Sequence, residues 1–122
     1  MKKIIDFIKE SGPFWVLTVN DDAPAGRPFG AIMELADKLY ISTADTKAVY
    51  KQLKENSKMQ ILALKPGTRE WLRVDGIAVE CTSIDIKEKM LEECPILKTH
   101  YSSASAPHFA IFEITVVNSE FN

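Results

Sequence analysis

The sequence predicts a mainly β domain with flanking helices. Six segments of the 122-residue chain are rich in aromatic and β-branched residues, and most of them alternate apolar with polar positions. Turn-forming residues separate neighbouring segments, and three stretches with helical spacing lie among them. Six short strands on a chain of this length favour a small closed or nearly closed antiparallel barrel, with helices at its ends or on its flank. We therefore expect one domain spanning residues 1–122.

The first part of the chain is predicted to form a helix followed by a meander of strands. Ile4, Ile5 and Ile8 recur at helical spacing before a Gly-Pro pair ends the pattern. Residues 14–19, 27–35 and 38–43 are then predicted strands, and the Asp-, Pro- and Gly-rich stretch 20–26 is predicted to be a loop.

The second part of the chain continues with a helix that Asp45 or Thr46 can cap and that buries Ala48, Val49 and Leu53. Gly76 marks a bulge or a close backbone approach within a long strand. The remaining predicted elements are strand 59–64, the long strand 69–84, helix 86–97, a small polar loop over 101–107 and strand 109–117.

Composition and charge exclude several classes of protein. The chain has 15 basic and 17 acidic side chains and a formal net charge of -2, so it lacks a global attraction to nucleic acid or anionic membranes. No apolar run is long enough to span a bilayer, and charged residues interrupt what would be the core of a signal peptide. We expect a cytoplasmic protein with Cys81 and Cys94 as reduced thiols.

Several common catalytic motifs do not occur. The sequence contains no glycine-rich phosphate loop and no Gly-x-Ser-x-Gly nucleophile motif. His100 and His108 have no carboxylate or thiol at a metal-ligand spacing, so we expect no metal site. The sequence therefore contains no recognisable motif for hydrolytic catalysis.

The most informative stretch is Leu39-Tyr-Ile-Ser-Thr-Ala-Asp-Thr-Lys47. A strand carries Ser42 and Thr43 to its end, and a helix begins shortly afterwards with Thr46 and Lys47 at its start. Hydroxyl groups, a lysine and the free N–H groups of a helix N-terminus together suit a phosphate group. The alternative is an ordinary helix cap followed by a solvated lysine.

Two further stretches suit a flat ligand. In Arg27-Pro-Phe-Gly-Ala-Ile-Met33, Gly30 and Ala31 leave the backbone bare enough for a planar ring, although the residues alone favour a bulged barrel strand. Trp71 and Arg73 share one face of the long strand, where an indole and a guanidinium can stack on a planar ligand. A half-buried barrel tryptophan beside a surface arginine is the alternative.

The order of these segments resembles the pyridoxamine 5'-phosphate oxidase-like split-barrel superfamily, especially its short bacterial members. The resemblance runs over roughly residues 3 to 117 and rests on Arg27-Pro-Phe-Gly30, Lys38-Leu-Tyr-Ile-Ser-Thr43, Thr46-Lys-Ala-Val-Tyr-Lys-Gln-Leu53, Lys58-Met-Gln-Ile-Leu62 and Trp71-Leu-Arg-Val-Asp-Gly-Ile-Ala-Val-Glu80. It implies a six-stranded antiparallel split β-barrel, a homodimer, and one FMN per subunit held at the subunit interface.

The resemblance also implies roles for individual residues. The backbone of Gly30, Ala31, Ile32 and Met33 would lie along the flavin ring. The FMN phosphate would be held by Ser42, Thr43, Thr46 and Lys47. Trp71 and Arg73 would reach the flavin from the neighbouring subunit.

The sequence departs from true pyridoxamine 5'-phosphate oxidases at two matched positions. Their phosphate-binding Arg-Lys pair is Thr46-Lys47 here, and Ala31 stands where they carry a flavin-facing arginine. These departures argue against oxidation of vitamin B6. The resemblance instead implies a small FMN-dependent oxidoreductase that acts on a small molecule, with a non-enzymatic flavin- or haem-binding storage or sensor module as the alternative. For haem, His100 or His108 is the candidate axial ligand.

Overall fold

The computed structural model describes all 122 residues, Met1–Asn122. It contains three α-helices, one short 3-10 helix and seven β-strands, in the order α1 (Lys2–Ser11), β1 (Phe14–Asn20), β2 (Ala23–Phe29), β3 (Ile32–Leu35), β4 (Lys38–Ala44), α2 (Ala48–Glu55), β5 (Lys58–Leu64), β6 (Trp71–Cys81), α3 (Ile84–Glu93), the 3-10 helix (Pro95–Thr99) and β7 (Phe109–Phe121).

All strands belong to one antiparallel sheet with the order β2-β1-β5-β6-β7-β4-β3. The edge strands β2 and β3 are consecutive in the chain, and only Gly30 and Ala31 connect them. If the sheet were flat, its edges would lie about 29 Å apart, at ~4.8 Å per strand spacing. A two-residue connection spans at most about 11 Å between the flanking Cα atoms. The sheet is therefore rolled so that its edges approach each other, with the Gly30–Ala31 connection at the seam.

The predicted number of strands is wrong. The sheet has seven strands rather than six, because 23–26 is a strand and not a loop, and because Gly30–Ala31 splits the predicted strand 27–35 in two. Pro24 and Pro28 resemble loop signals, yet both lie in β2, an edge strand with one unpaired side that tolerates a missing N–H. The edge strands β2 and β3 are not hydrogen-bonded to each other, so of the predicted closed or nearly closed barrel the structure has the open form, which is consistent with a split barrel.

A hydrophobic core packs against each face of the sheet. The larger core lies inside the roll, where Ile8 of α1 and Leu53 of α2 pack against strand residues such as Val16 and Ile61. The smaller core lies outside the roll, where α3 and the 3-10 helix cover one end of the sheet; Met90 and Leu97 pack there with Tyr40. Thus α1 and α2 pack against the inner core and α3 covers one flank of the sheet; a helix on the flank was predicted from the sequence.

Gly76 lies at a bulge, as predicted. The pairing of β6 with β7 shifts between Asp75 and Gly76, so that Val117 is an extra residue on β7. A Cβ atom at Gly76 would lie 2.6 Å from Ile114 Cγ2, closer than real Cβ contacts allow. Glycine is required here by the close approach of the two strands.

The outer face of β1, β5 and β6 carries apolar side chains that no helix covers. Trp15 is 51% exposed and Leu64 is 55% exposed, and the strand register places Trp15 beside Leu62 and Leu64 beside Trp71. Separately, none of the helices is long and apolar enough to cross a membrane.

Candidate functional site

A cleft of about 460 Å³ opens where the seam of the sheet meets the end of β4 and the start of α2. It brings together residues that are distant in sequence. Half of the residues predicted to bind a cofactor line it: Gly30, Ala31, Ser42, Thr43 and Lys47.

One end of the cleft is built by the turn from β4 into α2. Thr43 is buried and Ser42 is partly buried at the end of the strand. The turn is closed by the Lys47 amide, which donates to the carbonyl oxygen of Ala44 at 3.0 Å. α2 then begins at Ala48 without a side-chain cap. Its first N–H groups therefore remain available to an anion at the positive end of the helix dipole.

Lys47 adds a positive charge at the same point. The residue is exposed, it is the N-cap of α2, and it lines the cleft. It takes part in none of the ion pairs of the chain, which involve other lysines and arginines. Its ammonium group is thus free to meet a ligand.

The predicted cap of α2 is wrong. Asp45 does not cap the helix, because its carboxylate contacts His108 Nδ1 at 2.8 Å, and its amide donates to the His108 carbonyl oxygen at 3.0 Å. Thr46 is exposed and does not line the cleft. The two contacts between Asp45 and His108 instead tie the start of α2 to the loop before β7.

Arg27 also lines the cleft. It belongs to the Arg27–Met33 motif, but it was not among the predicted site residues. Its guanidinium donates to Val16 O at 3.2 Å, Thr18 Oγ1 at 2.9 Å and Gln52 Oε1 at 2.7 Å. Burial lowers the pKa of Arg27 from its ordinary value, and the group stays charged at neutral pH. Arg27 therefore contributes a fixed positive charge and braces α2 against β1.

The seam itself provides a bare surface. A Cβ atom built at Gly30 would meet no atom within 4 Å. Ile32 and Met33 turn their side chains into the inner and outer cores, so only their backbone can face a ligand. The open space above Gly30, next to Ala31, lets a flat group approach the backbone.

Trp71 and Arg73 lie on a different surface of the molecule, away from the cleft. They sit on the outer face of β6, lining a hollow of about 530 Å³ with Trp15, Leu62 and Leu64. The Arg73 guanidinium lies 5.7 Å from the centroid of the Trp71 ring and pairs with Glu120. One copy of the chain does not bring these two residues into the cleft.

The remaining wall of the cleft consists of Leu97, His100 and Tyr101, from the 3-10 helix and the loop after it. The sequence pointed to His100 only as a candidate haem ligand, and it did not place Leu97 or Tyr101 at the site. They follow Lys47 by some fifty positions in the chain, and no local motif links the two segments. The structure contains no cluster of three or more His, Cys, Asp or Glu side chains that could hold a metal ion.

Residues 1–122 match the family model described as pyridoxamine 5'-phosphate oxidase. The chain belongs to this family. A family member of known structure, a NimC/NimA family protein from Clostridium acetobutylicum, is 33% identical; the match covers 100% of this chain and 89% of that one, with a TM-score of 0.88.

More distant solved structures share the fold. General stress protein 26 from Bacillus anthracis is 18% identical with a TM-score of 0.82, covering 98% of this chain and 91% of that one. The haem storage protein HutZ from Vibrio cholerae is 13% identical with a TM-score of 0.77, covering 99% and 92%. No sequence among curated proteins matches this chain.

Proposed function

We propose that this protein is a small FMN-binding oxidoreductase that works as a homodimer. The observation that carries the proposal is the cleft, in which an uncapped helix N-terminus, an unpaired lysine and a bare glycine surface lie together. A phosphate at one end and a flat ring at the other match these two kinds of surface.

The donor set fits the phosphate of FMN. Lys47 and Arg27 supply positive charge, the hydroxyls of Ser42 and Thr43 supply hydrogen bonds, and the first turn of α2 supplies free amides. No carboxylate lines this cleft, so none of its lining side chains repels an anion. Thr46 lies next to Lys47 and is the weakest member of the proposed phosphate set, since its side chain is outside the cleft.

The seam fits the flavin ring. The open backbone at Gly30 and Ala31 lets a planar group lie close to the peptide N–H groups, and the buried Ile32 and Met33 hold that backbone in place. Bound FMN would supply electron transfer to or from a small molecule, and the chain would bind and orient it.

We propose that two copies associate through the outer face of β1, β5 and β6. The apolar residues Trp15, Leu62 and Leu64 form a contiguous exposed patch there, and such patches are typical of interaction surfaces. Trp71 and Arg73 belong to the same surface. In such a dimer, Trp71 and Arg73 of one subunit would contact the flavin bound to the other, as the family resemblance implies.

Titration of the purified protein with FMN, with the mass of the particle measured in parallel, tests this proposal. We expect saturation at one FMN per subunit on a dimer, seen as a change in flavin absorption and fluorescence. A folded protein that binds neither FMN, FAD nor riboflavin would rule out the flavin oxidoreductase.

A non-enzymatic haem-binding module is the second candidate function. His100 lines the cleft, whereas His108 lies outside it and is held by Asp45, so His100 is the better axial ligand of the two. If haem is the ligand, His100→Ala should abolish the haem absorption spectrum and His108→Ala should leave it. Identical spectra for the wild type and His100→Ala would remove this candidate.

A further inference from the structure

Tyr101 stands apart from the other tyrosines of the chain. The hydroxyls of Tyr40 and Tyr50 donate to Glu113 at 2.9 Å and to Glu80 at 2.8 Å. The Tyr101 hydroxyl makes no hydrogen bond within the chain, although the residue is partly buried and lines the cleft. The Tyr101 phenol therefore has a donor that no group of the chain satisfies.

Two contacts fix the position of Tyr101. The backbone amide of Tyr101 donates to the carbonyl oxygen of Leu97 at 2.9 Å, and Leu97 is buried under α3. Its ring stacks on Phe109 with centroids 4.5 Å apart and an interplanar angle of 23°. Phe109 is itself buried, and Lys87 donates to its carbonyl oxygen at 2.9 Å. A side chain held this way needs little ordering when a ligand arrives.

The neighbourhood of Tyr101 favours the protonated phenol. Burial and the charge of Asp45 both raise the pKa of Tyr101. Tyr101 lies near the end of the cleft where β4 turns into α2, because its ring stacks on Phe109 and Phe109 pairs with Ala44, the last residue of β4. A neutral hydroxyl beside the proposed phosphate site can donate a hydrogen bond without adding negative charge.

We infer that Tyr101 is a ligand-positioning residue: its ring forms the wall opposite the β4–α2 turn, and its hydroxyl donates a hydrogen bond to the phosphate of the bound flavin nucleotide. This inference rests on the proposed function, and it adds a third segment of the chain to the phosphate site, besides Arg27 and the turn from β4 into α2. It also gives the long polar connection between α3 and β7 a role in binding.

Tyr101→Phe, Tyr101→Ala and the control Tyr40→Phe, each titrated with FMN and with riboflavin, test the inference. Tyr101→Phe should weaken FMN binding roughly ten-fold, as expected for a hydrogen bond to a charged acceptor. It should leave riboflavin, which has no phosphate, within about two-fold of the wild type. Because the hydroxyl has no partner in the chain, the melting temperature of Tyr101→Phe should match that of the wild type.

The other variants separate the ring from the hydroxyl. Tyr101→Ala should weaken both flavins, since it also removes the aromatic wall, and Tyr40→Phe should change neither affinity because its hydroxyl lies outside the cleft. Wild-type FMN affinity in Tyr101→Phe, or an equal loss for FMN and riboflavin, would overturn the inference and leave the proposed function standing. A wild-type protein that binds neither flavin would overturn both.

Discussion

Lys47→Ala gives the most direct test of the phosphate end of the cleft. A charge-assisted hydrogen bond contributes about 1.5–3 kcal/mol when it is shielded from water. Lys47 is exposed and its charge is screened by solvent and salt, so we expect about 1–2 kcal/mol here. That free energy corresponds to a roughly five- to thirty-fold larger dissociation constant for FMN.

The assay is a fluorescence titration of Lys47→Ala and of Lys51→Ala with FMN and riboflavin at two ionic strengths. Lys51 is an exposed lysine one turn further along α2 and does not line the cleft, so its removal should leave FMN binding almost unchanged. Riboflavin should bind Lys47→Ala as it binds the wild type, and added salt should narrow the difference for FMN. Equal losses for the two ligands, or equal effects of the two lysine substitutions, would refute the assignment of the phosphate to this end.

Three further predictions concern stability and assembly. An added methyl group at Gly76 would lie 2.6 Å from a core side chain, so Gly76→Ala should lower the free energy of unfolding, measured in urea, by about 1–3 kcal/mol. Gly30→Ala is the control and should keep the wild-type stability, because Gly30 has open space around it. Equal stabilities of the two variants would contradict the close approach at Gly76. Burial and the hydrogen bond to Glu113 raise the pKa of Tyr40 from 10.0 to about 12. The protonated phenol therefore stabilises the fold below pH 10, and this stabilisation is lost as the pH rises towards 12. Tyr40→Phe should be less stable than the wild type at neutral pH, with the difference shrinking over that alkaline range; a difference that stays constant would show that the phenol does not titrate as argued. Trp15→Glu places a charge in the bare outer patch and should yield monomers in sedimentation velocity, and an unchanged mass would place the dimer interface elsewhere.

Local patterns predicted the elements that build the phosphate end of the cleft. Alternation placed β4 at 38–43, close to the observed Lys38–Ala44, and helical spacing placed the helix after it. The absence of a side-chain cap on α2 could not be predicted, because the Asp45 carboxylate contacts His108, a residue far away in sequence. Competition from a tertiary contact is invisible in a local pattern.

Helix and strand ends were less predictable than the elements themselves. α3 begins at Ile84, two residues before the predicted start, because Ser83 caps it by accepting from the Ile86 amide at 3.3 Å. It ends before Pro95, which starts a separate 3-10 helix where a single helix over 86–97 was predicted. β7 continues to Phe121 because it pairs with the start of β6, a long-range interaction that no turn signal announces.

The site as a whole could be predicted only in part, for the same reason. Gly30 and Lys47 were identified from local chemistry, and the rolled sheet brings them together. Tyr101 reaches the cleft only because Leu97 and Phe109 hold it there. Trp71 and Arg73 lie on another surface, so their part in the site depends on a second copy of the chain.

The roll of the sheet has a consequence for how the chain behaves at high concentration. An open sheet has two edges with unpaired N–H and C=O groups, and such edges invite pairing with other molecules and aggregation. Here the short Gly30–Ala31 connection keeps the two edges near each other, β3 has only four residues, and β2 carries Pro24 and Pro28. A strand from another molecule would have little space to pair with β2 or β3, and it could form only an incomplete set of backbone hydrogen bonds with either edge. The same seam that leaves space for a small ligand therefore protects the chain against edge-to-edge assembly into fibres.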